Sequence, residues 1–519
     1  MFYGTSDLGV PRKTVTYQNE LKTFREEGIW NYTTMLMRED LGLLLLGSRD
    51  AIYALNIDNI SDKKAVVYWR VTEAERRECS FKGKDAELEC RNYIRTLHVL
   101  DDGKATDTRM YVCGTHAFKP TCDYLTYSDG QLSLEGKHED GRGKSPFDPF
   151  VRHASLVVGT DLYSATPVNF QANQHSLTRF RSSGSAIKTE EISSWLRDPD
   201  FIHMDFVPES AGSADGDDDK VYMFFTEMAE EYEYKFAVSR VARVCAGDIG
   251  GERTLQKKWT SFQKARLDCP IPGHSLLPSV VQDVFRLRHP RWNESIFYAV
   301  FTPQSGSSDV SAVCAYSVPD VGNVFSEGTF RSRDNAPWVT YTGKLPDPRP
   351  GACINNNARK KGINTSRQLP DKTLSFIKER PLMFETVQPL NRGPMLVTKG
   401  ALLTRIVVDS VLALDGERYP VMFIGTDSGY IQKAVNYAGE MFVIEEIQLY
   451  KDHSPIRTLR LSSSKGQLYA GSEFGAVQMP VSDCSRYKTC VDCVLARDPY
   501  CAWDPSSDQC RLVVSKLYL

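Results

Sequence analysis

Long apolar runs are missing from this chain. The longest, residues 41–46, is interrupted by Gly42 and falls far short of the roughly 20 residues a membrane helix needs, so no span or membrane insertion is expected. Net charge is nearly absent too. With 63 basic against 66 acidic side chains the balance is −3, which gives no general affinity for polyanions and argues against nucleic acid as a partner. Histidine is scarce at nine residues, and there is no His-Glu-x-x-His, no Gly-x-Ser-x-Gly and no phosphate-cradling glycine loop. No catalytic residue, metal ligand set or cofactor is therefore expected. A secretory leader is also lacking: Met1-Phe2-Tyr3-Gly4 is not a basic region followed by an apolar one, so the leader is read as already removed.

Cysteine, by contrast, is plentiful and unevenly placed. Cys484, Cys490, Cys493, Cys501 and Cys510 fall within 27 residues around Asp498-Pro-Tyr-Cys-Ala-Trp-Asp504. So short a segment cannot bury enough core to offset its chain entropy and needs covalent staples or a metal. Cys490-x-x-Cys493 has zinc-ligand spacing, and Cys501 with Cys510 would complete four thiolates, but that leaves Cys484 over. The other eight cysteines are scattered, with two close pairs 11 and 9 residues apart. Acceptor sequons stand at Asn31, Asn59, Asn293 and Asn364. Together these favour the secretory pathway and disulfides over zinc.

A hairpin recurs along most of the chain. Residues 43–55 read as an apolar strand, a Gly-Ser turn and a second strand, and similar stretches return at 110–115, 155–163, 421–431 and 467–478. Looser copies without the glycine run from 221–226 to 240–245 and from 296–302 to 312–316, which makes seven. Glycine at the turn is expected to supply backbone angles that other residues resist. Seven irregular hairpins without a linker fit the blades of a β-propeller, and two or three stacked β-sandwiches are the alternative. Residues 254–266, apolar at 255, 259, 262 and 265, have helical spacing. The proline-rich stretch between 314 and 421 suggests an insertion with a short helix over 371–378. The acidic run 215–219 lacks the closing Glu of a calcium loop and reads as a solvated hairpin tip. Thr426-Asp-Ser-Gly429 resembles a sialidase turn, but it occurs once and is better explained by blade geometry.

The order of Gly143-Lys-Ser-Pro-Phe-Asp-Pro149, Trp195-Leu-Arg-Asp-Pro199, Arg240-Val-Ala-Arg-Val-Cys-Ala-Gly-Asp248, Tyr298-Ala-Val-Phe-Thr-Pro-Gln304, Pro348-Arg-Pro-Gly-Ala-Cys353 and residues 493–503 resembles the semaphorins, and among them the class 4 members. The resemblance implies an all-β chain: a seven-bladed sema propeller over 1–482 with an insertion in a middle blade, then a disulfide-rich PSI module over 483–519. It implies that a strand within 13–17 closes the ring by joining the last blade. It also implies disulfides Cys79 with Cys90, Cys113 with Cys122, Cys245 with Cys353, Cys269 with Cys314, Cys484 with Cys501 and Cys493 with Cys510. Cys490 is left over, as expected if the module continues past residue 519. Two departures stand out: Ser145 where class 4 members often have cysteine, and residues 170–174 in place of a Gly-Ser turn.

By the same resemblance the chain is an extracellular ligand, secreted or anchored outside this segment, that controls cell guidance, migration or immune-cell communication. It would homodimerise through its propeller and bind a plexin. The implied receptor-facing edge, on blades three and four, holds Arg179, Arg181, Lys188, Glu190, Glu191 and Arg197, with Trp195 packed beneath. Dimer contacts are expected at Tyr232, Tyr234 and Phe236, on a strand whose aromatics alternate with polar residues. A plexin-like receptor ectodomain and a propeller glycoside hydrolase are the alternatives, since both fit the same architecture.

Overall fold

Seven sheets of antiparallel strands follow one another along the chain and close into a ring. The computed structural model describes residues 9–100, 109–182, 184–232, 235–271, 277–304, 309–332 and 338–513. The blades are built from strands within residues 34–68, 94–140, 154–188, 200–266, 280–399, 403–448 and 458–480. Second and third strands such as Leu43–Gly47, Lys220–Met228, Ile296–Thr302 and Arg418–Thr426 are the most buried, because each lies inside a sheet packed on both faces. Their continuous apolar runs, rich in β-branched and aromatic residues, suit that position.

Ring closure differs from the expectation. Lys13–Val15 pairs in parallel with the outer strand of blade six, Lys13 opposite Glu445, and forms a fifth strand there. It is Lys22–Phe24 that joins the last blade, antiparallel to Ala476–Pro480. The reason is a buried aromatic. The Phe24 ring lies 4.8 Å from Tyr53 and 6.2 Å from Tyr32, in the core shared by blades seven and one, whereas segment 13–17 offers Val15 as its one buried side chain.

The repeated glycines also do something other than turn the chain. Of Gly47, Gly114, Gly159, Gly425 and Gly471, only Gly159 has positive φ, at 59°. The others sit where blades meet: an added Cβ would lie 2.7 Å from Ile94 at Gly47, 2.8 Å from Ile456 at Gly425 and 2.1 Å from the Tyr32 carbonyl oxygen at Gly471. These glycines permit close approach of the next blade. Gly471→Ala is therefore expected to cost about 1–3 kcal/mol by overpacking, read as a lower urea midpoint. The exception has a cause. The 155–163 copy is the hairpin between first and second strands, Ala154–Val158 and Asp161–Pro167, while the other six copies lie on second and third strands. In blade three the second-to-third turn is the glycine-free stretch 168–174, where Ala172 takes the positive φ.

Residues 254–266 are not helical. They form turns followed by strand Gln263–Arg266, and Leu255, Trp259 and Phe262 enter one buried cluster from those turns. The insertion lies in blade five, between Val310–Ser317 and Leu396–Lys399; it opens with helix Val318–Glu327, holds the short helix Asn356–Lys360, and its expected helix spans Asp371–Glu379 with Thr373, Leu374, Phe376 and Ile377 buried. Its returning segment runs beside the outer strand of blade four, where Lys264 bridges to Leu382 and Leu267 to Val387.

Disulfides join Cys79 to Cys90, Cys113 to Cys122, Cys245 to Cys353, Cys269 to Cys314, Cys484 to Cys501 and Cys493 to Cys510; Cys490 is free and exposed. The terminal cysteines surround the short helix Cys490–Leu495 and the hairpin of Cys501–Asp504 with Gln509–Leu512. This unit rests on blade six through the fully buried pair Lys433 Nζ to Asp498 Oδ2, 2.6 Å apart. Arg486 also reaches Glu445, at 2.8 Å. Among the described residues no helix is long and apolar enough to cross a membrane.

Candidate protein-binding edge

The outer edge of blade three is stitched to blade four. Strand Ile187–Lys188 pairs with His175–Phe180, and the Lys188 carbonyl accepts the Trp259 amide at 3.0 Å while the Lys188 amide donates to the Lys257 carbonyl at 3.2 Å. Two buried indoles fix the edge from beneath. Trp259 Nε1 donates to the Leu177 carbonyl at 2.9 Å, and Trp195 Nε1 donates at 2.9 Å to the Lys378 carbonyl at the end of the insertion helix. Trp195 stacks on Phe262 at 4.7 Å.

On this base lies a network of ion pairs. Lys188 pairs with Glu191, and Glu190 is reached by Lys258 at 3.5 Å and by Lys378 at 3.3 Å. Burial raises the Glu190 proton affinity, but the Glu191 amide and the two lysines outweigh it and hold the carboxyl below its ordinary value. Glu191 is lowered chiefly by Lys188. Lys258 and Lys378 were hidden from sequence reasoning, the first in a segment with helical spacing and the second in the insertion. The clue in the sequence was the Lys257-Lys258 pair ahead of Trp259.

Arg179 does not belong to this surface. It is 1% exposed, lies over the Trp259 and Tyr163 rings at 5.4 and 5.8 Å, and donates to the Ala246 and Asp248 carbonyls. An arginine on a middle strand faces the neighbouring blade, and this one ties blade three to blade four. Arg181 remains at the surface, 3.5 Å from Asp161, beside a recess of about 310 Å³ shared with Lys257 and Arg367. Arg197 stands apart from the Lys188 group and pairs with Glu230 at 3.4 Å.

Glu230 belongs to the loop that holds the expected dimer residues. That stretch is not a strand: the second strand of blade four ends at Met228 and the third begins at Ala237. Tyr232 is half-buried, its ring 5.0 Å from Phe236 and under the Arg266 guanidinium, so the two described aromatics pack on each other. Tyr234 lies outside the described residues. Beneath the loop is a buried cluster that sequence patterning did not reveal: Glu227 Oε1 is 2.8 Å from Arg240 and 2.6 Å from Lys264, and Glu231 is 2.6 Å from Arg240. Asn293 and Asn364 are exposed sequon positions, and Asn31 and Asn59 are half-buried.

The fold is a seven-bladed propeller with a docked, disulfide-knotted module and a polar edge of paired charges. Residues 281–463 match the family model described as the Sema domain, and residues 483–516 match the Plexin repeat. The extracellular domains 1–2 of Drosophila Semaphorin 1a superpose with a TM-score of 0.81 at 33% identity, over 97% of this chain and 96% of that one. The chain belongs to the semaphorin family. It is 48% identical to mouse Semaphorin-4D over 96% of its length and 58% of the relative's, and 43% identical to mouse Semaphorin-4C over 98% and 60%. It thus spans about three fifths of the curated relatives it matches. A structure of Drosophila Plexin A in complex with Semaphorin 1b matches at 28% identity with a TM-score of 0.80, over 99% of this chain and 96% of that one. The extracellular region of Plexin A4 shares the fold alone, at 15% identity. Membership sets the hydrolase reading aside.

Proposed function

We propose that this chain is the receptor-recognition part of an extracellular signalling ligand that binds a plexin and pairs with a second copy of itself through its propeller. The supporting observation is the end-to-end match to semaphorin extracellular domains, one of them in a structure that also holds a plexin. Residues 1–482 serve as the platform and 483–519 as a module that leads toward the rest of the protein, which is either membrane-anchored or released. A two-fold dimer offers two identical receptor sites and so brings receptors together with a gain in avidity.

The Lys188, Glu190, Glu191, Lys258 and Lys378 network is the receptor-facing patch, and the loop carrying Tyr232 and Phe236 is the dimer candidate. Because the network is held over two buried, hydrogen-bonded indoles, with Lys188 on a strand and Lys378 on a helix, less entropy is lost on docking. Surface plasmon resonance against a panel of plexin ectodomains, with mass by light scattering, tests both halves. Lys188→Glu is expected to weaken plexin binding roughly tenfold by reversing one exposed charge, with little change in thermal stability. Arg197→Glu is expected to alter dimer mass rather than receptor affinity. Unchanged binding by Lys188→Glu would remove the edge assignment, and a monomer that binds no plexin would sink the ligand reading.

A further inference from the structure

Many enclosed cations in this molecule are paired: Arg240 and Lys264 with Glu227, Lys433 with Asp498, Lys220 with Glu209, and Arg286 with Asp205. Arg243 is buried on neutral oxygens alone, and a larger group of arginines without carboxylates stands elsewhere. The first strands of successive blades neighbour one another right round the ring, the seventh against the first, and so line the central axis. At or just before the starts of these strands stand Arg95 in blade two, Arg152 in blade three, Arg405 in blade six and Arg457 in blade seven; Arg460 lies one step deeper. Among the described residues none of these five has a carboxylate within 4 Å.

Their hydrogen bonds go to neutral oxygens, apart from a 3.4 Å contact of Arg95 with His153 Nδ1. Arg95 donates to the Pro149 and Val151 carbonyls, and Arg405 Nε donates to the Arg457 carbonyl at 2.6 Å. Arg152 reaches from blade three past blade four to Gln282 of blade five, donating to Oε1 at 3.0 Å and to the carbonyl at 2.6 Å. The Arg457 side chain is exposed and bonds to no protein group among the described residues. Asp283, on the same lining, accepts the Ile406 amide at 3.0 Å. Asp148 and Asp200 are the other acids acting on the group.

Arg95, Arg152 and Arg405 are half-buried, and Arg460, like Arg457, is exposed, all within the ring formed by the first strands. Arg95 and Arg152 are each brought down to about 10, by burial first, with the charge of Arg405 acting in the same direction. Burial and then Arg460 hold His98 down to about 4, so it is neutral at pH 7 and offers a donor without adding charge. Five guanidinium groups converging on an enclosed axis with three acids nearby leave an excess of positive charge in a setting where Coulomb forces are weakly screened. Such an arrangement is stable when an anion from solution shares the space.

We propose that the axial channel of this propeller binds a multivalent oxyanion, a sulfate or phosphate group, through Arg152, Arg405 and Arg457. The group arrives either as a free ion or as a sulfate ester on a glycan, and both present the same tetrahedral acceptor to guanidinium donors. Net charge of the whole chain conceals the site, because only five of the 63 basic residues gather on this axis.

The test uses the intact chain. Thermal unfolding in sodium sulfate and in sodium chloride of matched ionic strength should differ, with sulfate raising the midpoint by several degrees as a ligand of the folded state does. Arg457→Gln should be more stable than the parent in chloride, since one repelling charge is gone, and its sulfate affinity by calorimetry should fall at least tenfold. Arg77→Gln, on the exposed helix Glu73–Phe81, should keep the full response. A selenate soak should give an anomalous peak on the axis. A heparin-derived tetrasaccharide binding tenfold more tightly than inorganic sulfate would assign the ester, and equal binding would assign the free ion. Equal midpoints in the two salts would overturn the proposal. So would an undiminished sulfate response in Arg457→Gln, whose side chain supports no protein contact and whose folding is therefore not in question.

Discussion

Glu227→Ala is expected to cost about 3–5 kcal/mol, the usual penalty for stranding a buried charge by removing its partner. The carboxylate is 2% exposed and faces both Arg240 and Lys264, and its second oxygen accepts the Arg197 amide at 3.1 Å. Removing it leaves two cations against Glu231 alone. Urea unfolding followed by tryptophan fluorescence measures the loss, and a change under about 1 kcal/mol would show that water reaches the cluster. The same cluster gives acid sensitivity. Burial raises the Glu231 proton affinity, but Arg240 and Lys264 win and hold it below its ordinary value of 4.5. A carboxyl lowered on folding stabilises the protein above its unfolded value and loses that contribution as pH falls through the folded one. Stability should therefore decline below about pH 4.5 and do so less steeply in Glu231→Gln.

Lys433→Met is the second large effect, again about 3–5 kcal/mol, because it leaves Asp498 charged and dry between blade six and the terminal module. Asp498 also accepts Ser482 Oγ at 2.7 Å and the Tyr500 amide at 3.1 Å. Asn can keep the Tyr500 amide bond through its Oδ1 and donate its Nδ2 to Ser482 Oγ, so Lys433→Met combined with Asp498→Asn should recover most of the loss. Limited proteolysis reads the docking directly: the single variant should be cut ahead of Cys484 and the double variant should not. Equal cutting of both would mean that the disulfides and Arg486 hold the module without this pair.

Architecture was legible because blade interiors demand continuous apolar strands, and those repeat. What the repeat could not carry was registration. The Gly159 hairpin looked like the others in sequence, yet it lies one strand earlier, since a tight glycine turn and a tight interblade contact demand the same residue for different reasons. Residues 254–266 misled for a related reason: apolar spacing of three and four also arises when successive turns each drop one side chain into the core. Charge was the least legible property. Arg179 and Arg181 are two positions apart, and one is buried under two aromatic rings while the other meets water, which depends on how far the neighbouring blade extends. Lys258 and Lys378 reach the edge from distant parts of the chain, and only folding brings them to Glu190.

The two strands near the start of the chain impose an order on synthesis. Segments 13–15 and 22–24 are made before any of the blades, yet their partners, residues 445–447 and 476–478, are among the last of the propeller to be translated. More than 430 residues must therefore emerge before either pairing can form, and the growing fan of blades keeps an open flank throughout. Closure is entropically modest for so long a loop, each doubling costing only about 0.6 kcal/mol, but it is necessarily a late event. A nascent chain stalled within the last blade should thus expose Phe24 and the flanks of blades one and six to folding factors, and should release them only when the final strands arrive.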